Sequence, residues 1–161
     1  MKAKAFWTVA PGEAEIREHD LPPPAPDQAL VVTRASGISR GTERLVFTGR
    51  VPESQWPAMR APLQHGEFPF PVSYGYAAVG VVQAGPLALL GQRVFCLHPH
   101  HDAFLAPAAM CIPIPDAVPD RRAVLAASRT GPPPLPILVL SALSLASASG
   151  AAQLPAQTFP E

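Results

Sequence analysis

At 161 residues the chain is about one domain long, on a scale of ~100–200 residues per domain, and a two-domain enzyme barely fits in it. Its 12 Lys+Arg offset 12 Asp+Glu, so no basic field exists to hold a phosphate backbone and nucleic acid is not an expected partner. The 22 prolines, about three times ordinary usage, disfavour long helices, and the two cysteines, Cys96 and Cys111, make neither a disulfide framework nor a four-thiolate zinc cluster.

The amino terminus carries Lys2 and Lys4 but only a short apolar run over residues 5–10, below the length of a signal-peptide core, so a reduced, cytoplasmic setting is expected. Residues 2–9 and 13–18 flank Ala10-Pro11-Gly12 and read as a hairpin. Leu21-Pro-Pro-Pro-Ala-Pro26 forbids helix and central strand alike, because proline fixes φ and has no backbone donor; it is read as a stiff connection. The next predicted strand is 28–35, with Val31, Val32 and Thr33. Ser36-Gly-Ile-Ser-Arg-Gly41 then leads into a short candidate helix at 42–47, with Thr42 as its N-cap.

From 49 to 71, Pro52, Pro57, Pro62, Pro69 and Pro71 interrupt every element, which predicts an irregular excursion of the length that functional or disordered loops reach. Val79, Val81 and Val82 mark a strand over 72–83, with Gly75 and Gly80 as bends or points of close backbone approach. Residues 93–97, 103–106 and 110–114 complete about seven short strands, and 120–127 opens a helix capped by Asp120. The fold class expected is mainly β, a strand-rich barrel with short helices.

Composition changes near Ala127. Every charged residue except Arg129 and Glu161 lies before Ser128, and 128–161 is a Pro/Ala/Ser/Leu-rich stretch of low complexity. The chain is therefore divided into a folded domain at 1–127 and a tail at 128–161, expected to be disordered or the product of a shifted reading frame. A membrane anchor in the uncharged tail is disfavoured, since Pro136, Gly150 and many serines break the apolar run of ~20 residues that spanning requires.

Four stretches carry a resemblance: Ser36-Gly-Ile-Ser-Arg-Gly-Thr-Glu43, Pro71-Val-Ser-Tyr-Gly-Tyr-Ala-Ala-Val-Gly-Val-Val82, Gly91-Gln-Arg-Val94 and Ile112-Pro-Ile-Pro-Asp-Ala-Val-Pro119. In order and spacing they resemble the amino-terminal catalytic domain of the medium-chain dehydrogenase/reductase superfamily, a distorted barrel termed GroES-like. The run Gly41-Thr-Glu-Arg-Leu-Val-Phe-Thr-Gly-Arg50 looks closer to the bacteriochlorophyllide dehydrogenase branch and related zinc-free dehydrogenases than to ordinary alcohol dehydrogenases. The resemblance implies an NAD(P)-dependent oxidoreductase that moves hydride between the cofactor and a small carbonyl or alcohol substrate. It also implies roles for single residues: Arg40 at a position that contacts cofactor phosphate, Ser39 and Thr42 near a proton-relay hydroxyl, and Tyr76 orienting a carbonyl.

Zinc-dependent relatives need a thiolate, an imidazole and a third protein ligand at one point. Ser39 stands at the cysteine position, and Tyr76 and Ala77 stand where Gly-His-Glu would place its histidine and acid, so no catalytic zinc is expected. The plainer readings are a surface Arg40 or one paired with Glu43, a Thr42 that only caps, and a core Tyr76. His98-Pro-His-His101 with Asp102 is the densest set of ligand-type side chains, read as a solvated loop because neighbouring strand residues face opposite sides. His19 and His65 are read as surface residues in loops, Cys96 and Cys111 as buried small hydrophobes.

No Gly-x-Gly-x-x-Gly turn between a strand and a helix occurs, so no Rossmann domain is expected. The chain is read as a truncated NAD(P)-dependent alcohol dehydrogenase-like oxidoreductase. It keeps the substrate domain, is inactive alone, and does not bind the implied NAD(P) tightly. The alternative is a non-enzymatic binding or assembly module on the same barrel, for which a homo-oligomer is one outcome.

Overall fold

The computed structural model describes residues 1–129 and is built mainly from nine short strands. The predictions for 130–161 lie outside the described residues. In chain order the elements are β1 (Lys2–Ala10), β2 (Glu13–Asp20), β3 (Gln28–Ser36), α1 (Thr42–Phe47), α2 (Trp56–Met59), β4 (His65–Gly66), β5 (Val72–Ser73), β6 (Ala78–Ala84), β7 (Arg93–Cys96), β8 (Ala103–Pro107), β9 (Ile112–Pro113) and α3 (Asp120–Ala123). One sheet runs β2-β1-β5-β4 and the other β8-β3-β6-β7-β9, all pairs antiparallel. Among the described residues the strands form two sheets and no closed barrel. No helix of the described residues is long and apolar enough to cross a membrane.

The β1–β2 hairpin turns at Pro11-Gly12, where Gly12 adopts φ +78°, a conformation that costs other residues energy. The 72–83 run is not one strand. Val72–Ser73 pairs in the first sheet and Ala78–Ala84 in the second, with Gly75 at φ +131° between them. Leaving one sheet for the other demands a backbone path that a continuous apolar run does not announce. The excursion at 49–71 likewise contains order: a 3-10 turn at Glu53–Gln55, α2 and β4.

Strand β6 is the centre of the second sheet and is buried on both faces. Ala78 and Val82 pack with Val31, Val94 and Phe104 on one side; Val79 packs with Phe95, Ile114, Val118 and Ala123 on the other. An unbroken apolar sequence is what a strand covered on both sides requires. Cys96 and Cys111 are free thiols within this core, as expected.

Two expected caps are not made. Asp120 is the first residue of α3 after the N-cap Pro119, and its carboxylate goes instead to Arg34 at 3.0 Å and Arg93 at 3.1 Å. Two guanidiniums compete successfully with the orphan N–H groups of a one-turn helix. Beyond Ala123 the chain tightens into a 3-10 segment, Val124–Arg129.

The histidines depart furthest from expectation. His98 and His101 are not in a solvated loop: they are 2% and 4% exposed. The His98 ring stacks on Phe104 at 3.8 Å, and His101 meets His98, His65 and His19 at centroid distances of 4.7, 5.1 and 5.2 Å. His19 lies on β2 opposite Ala3 rather than in a loop, and is half-buried; His65 on β4 is exposed, yet at the same junction. Among the described residues none of these four contacts a carboxylate.

Burial, helped by the neighbouring imidazoles, pushes His98 down to about 4 and His101 to about 2, and lowers His65. In the unfolded chain both take up protons as pH falls through the ordinary value near 6.5, while the folded protein leaves them neutral. Acidification from pH 6.5 toward 4 therefore favours unfolding, by ~1.4 kcal/mol per pH unit for each histidine. Urea unfolding at pH 7 and pH 5 is expected to show a loss of about 4 kcal/mol from this pair, and His98→Leu is expected to remove about half of it.

A second expectation concerns packing. A Cβ on Gly80 would sit 2.4 Å from the Val32 carbonyl oxygen and 2.6 Å from Val31 Cγ1. Gly80→Ala is expected to force β3 and β6 apart and lower unfolding free energy by about 3 kcal/mol in the same measurement.

Candidate active site

The loop after β3 and the first turn of α1 bring the motif residues together. Helix α1 has Gly41 as its N-cap, with no side-chain cap, so Thr42 lies inside the helix and does not cap it. The neighbouring acid satisfies a loop donor instead: Glu43 Oε1 accepts the Ser39 N–H at 2.7 Å, while Glu43 N–H donates to the Ser39 carbonyl at 3.0 Å. A carboxylate at the positive end of a helix, meeting a free N–H, is favourable on both counts. At the other end Thr48 Oγ1 donates to the Arg44 carbonyl at 2.7 Å, and Gly49, at φ +65°, ends the helix.

The second motif segment lies alongside, because Gly37 N–H donates to the Ala77 carbonyl at 2.8 Å. Tyr76 is half-buried and meets Tyr74 edge to face at 6.2 Å. Tyr74 is 6% exposed and donates its hydroxyl to the Met59 carbonyl at 2.7 Å; burial raises its phenol, with Tyr76 and Glu43 adding to the effect. Ser39, Thr42 and Tyr76 thus belong to two adjoining segments.

Between those segments stands a residue the sequence reading had grouped with the other histidines. His100 Nε2 donates to Glu43 Oε2 at 2.6 Å, and His100 Nδ1 lies 3.0 Å from Ser36 Oγ. The side chains of His100 and Glu43 are only 14% and 12% exposed, so the pair is shielded from water. Its ring is held in place: a Cβ on Gly75 would come within 2.9 Å of Nε2, and Phe6 meets the ring edge at 6.5 Å. Only glycine at 75 admits the imidazole. Ser36, Glu43 and His100 were missed as site residues. The one sequence signal for them is alternation, since His100 and His101 on an extended segment must point to opposite sides.

Arg40 does not pair with Glu43, whose carboxylate is committed to His100. It lines, with Gly41, Arg44, Leu45, Thr48 and Arg50, an open depression of about 540 Å³. Among the described residues no carboxylate contacts Arg40, Arg44 or Arg50, so three guanidiniums face the depression with their donors available. Such a surface suits phosphate or carboxylate oxygens. No three or more His, Cys, Asp or Glu side chains among the described residues are arranged to hold a metal ion.

No protein-family model matches the chain. The 2-desacetyl-2-hydroxyethyl bacteriochlorophyllide A dehydrogenase of Cereibacter sphaeroides is 32% identical over 124 residues, which are 75% of this chain and 32% of that protein. The chain therefore spans about a third of the length of the curated relative it matches. Among solved structures, a short chain alcohol dehydrogenase from E. coli CFT073, complexed with NADH, superposes with a TM-score of 0.57 at 19% identity, covering 78% of this chain and 42% of that one. A quinone oxidoreductase of Pseudomonas syringae gives 0.55 at 21% identity, covering 77% and 37%. Identities this low speak for the fold alone. Sequence and fold together relate the described part of the chain to the amino-terminal part of medium-chain dehydrogenase/reductase proteins.

Proposed function

We propose that residues 1–127 are the substrate-side, GroES-like half of a cytoplasmic NAD(P)-dependent oxidoreductase acting on a small carbonyl or alcohol, with 128–161 a separate tail. The observation that carries this reading is the meeting of the Ser36–Glu43 loop with the Tyr74–Ala77 segment around His100, beside a depression lined by Arg40, Arg44 and Arg50. Three guanidiniums fit the phosphates of a dinucleotide, and Arg40 is the residue assigned to that contact. When bound, the cofactor supplies hydride chemistry. This chain's own part is to place the substrate: the Tyr76 phenol orients its oxygen, with the Ser39 hydroxyl from the loop after β3 and the Thr42 hydroxyl from the first turn of α1 as the groups that relay a proton.

The residues at the zinc positions do not fit that metal. Ser39 offers a hydroxyl beside an N–H already bonded to Glu43, Tyr76 offers a phenol, and Ala77 offers no ligand. Activity through these residues is therefore assigned without zinc.

Exposed apolar side chains support a missing neighbour. Ile38, Leu45 and Leu125 are 77%, 41% and 54% exposed, on the site loop, on α1 and just after α3. A nucleotide-binding domain would cover such residues and supply the glycine-rich cradle this sequence does not contain. A second copy of the chain is the other occupant, which size-exclusion chromatography with light scattering separates from the first by showing a concentration-dependent dimer.

Calorimetric titration of the chain with NADPH is expected to give a dissociation constant weaker than about 0.1 mM, with no reduction of added carbonyl substrates. Arg40→Glu is expected to weaken that binding a further ~10-fold or more while leaving the thermal midpoint in place. Binding in the nanomolar range would overturn the assignment of a substrate-side half without its own cofactor cradle.

A further inference from the structure

The chain Ser36–His100–Glu43 has the connectivity of an activated hydroxyl nucleophile. Such sites are recognised by a nucleophile hydrogen-bonded to a base, and a base oriented by a third group, whatever their order in sequence. The Glu43 carboxylate is itself held by the Ser39 N–H at 2.7 Å, and it accepts from His100 Nε2 at 2.6 Å. A proton on Nε2 leaves Nδ1 as the acceptor for the Ser36 hydroxyl, 3.0 Å away. The imidazole cannot swing off this line, because Gly75 and Phe6 flank it and its backbone carbonyl accepts the Phe6 N–H at 2.9 Å. Ser36 itself is exposed at the end of β3, so an incoming molecule meets its oxygen while base and acid remain shielded. Nothing in this arrangement requires a dinucleotide.

We propose that Ser36 is a nucleophile that accepts acyl groups from activated esters, with His100 as its general base and Glu43 as the positioning residue. Ser36 Oγ bonds to the ester carbonyl carbon while its proton passes to His100 Nδ1. The bond from that carbon to the leaving oxygen then breaks, and the leaving oxygen takes the proton from Nδ1. Ester and serine become acyl-serine and alcohol, with no oxidant or reductant consumed. Water, giving its proton to the same nitrogen, releases the acid and restores the serine.

The test treats the full chain with a fluorophosphonate probe and, separately, with p-nitrophenyl acetate, and locates adducts by peptide mass spectrometry. The expected result is modification of Ser36 at a rate ~100-fold or more above that of Ser54, an exposed serine with no such partners. His100→Gly is expected to slow modification ~100-fold, with partial rescue by free imidazole, a response that a purely structural histidine does not give. Glu43→Gln is expected to slow it ~10-fold and to move the ¹⁵N shifts of His100 toward the other tautomer. Equal modification of Ser36 and Ser54 in the folded wild-type chain, or an unchanged rate in folded His100→Gly, would overturn the assignment. The wild-type comparison stands even where a variant fails to fold.

Discussion

The segment His100–His101–Asp102 is the seam on which the molecule depends. Its backbone is hydrogen-bonded to both sheets: His100 O accepts from Phe6 N–H at 2.9 Å, Asp102 N–H donates to Lys4 O at 3.0 Å, and Asp102 O accepts from Thr33 N–H at 2.8 Å. The Asp102 carboxylate adds a bond from Lys4 N–H at 2.7 Å, and His101 bridges to Ala5. Ser73 on β5 adds a side-chain contact, its Oγ lying 3.0 Å from His101 Nε2, so this segment ties the first sheet to the second. The bonds at Lys4, Phe6 and Thr33 satisfy backbone groups of β1 and β3 that would otherwise be left to water.

From that seam the two histidines diverge, and the physics on the two sides differs. His101 points into a junction of imidazoles with no carboxylate, where desolvation keeps His98 and His101 neutral and makes those two a cost of acidification. His100 points the other way, onto a shielded carboxylate and an exposed hydroxyl, where the same ring becomes a base with a defined tautomer. One side contributes packing that mild acid undermines, while the other assembles acid, base and hydroxyl in a line. Any change that alters the path of residues 100–102 moves both at once.

The elements were legible where the chain repeats a simple period or a turn dictates it. The hairpin at Pro11-Gly12, strand β3, the helix at Thr42–Phe47 and the buried run of β6 follow from alternation, from glycine's freedom and from apolar continuity. The motif segments 36–43 and 71–82 were also read as neighbours in function, and the Gly37–Ala77 hydrogen bond makes them neighbours in space. Less of the site was legible. Arg40, Ser39, Thr42 and Tyr76 were named from motif position, but the hydrogen-bonded chain runs through Ser36, Glu43 and His100, which no spacing rule connects across a separation of 64 residues.

Sequence alone determined the β-rich class, the order of most strands, the lack of a thiolate and imidazole at the zinc positions, and the change of composition at Ala127. These depend on local backbone preference or on residue identity, and neither needs a partner distant in the chain. Tertiary structure decided the split of 72–83 between two sheets, the burial of His98 and His101, the ion pairs of Asp120 with Arg34 and Arg93 in place of an expected cap, and the alignment of Ser36, His100 and Glu43. Each of those outcomes is a competition settled by groups brought together from far apart, and only the folded path says which groups arrive.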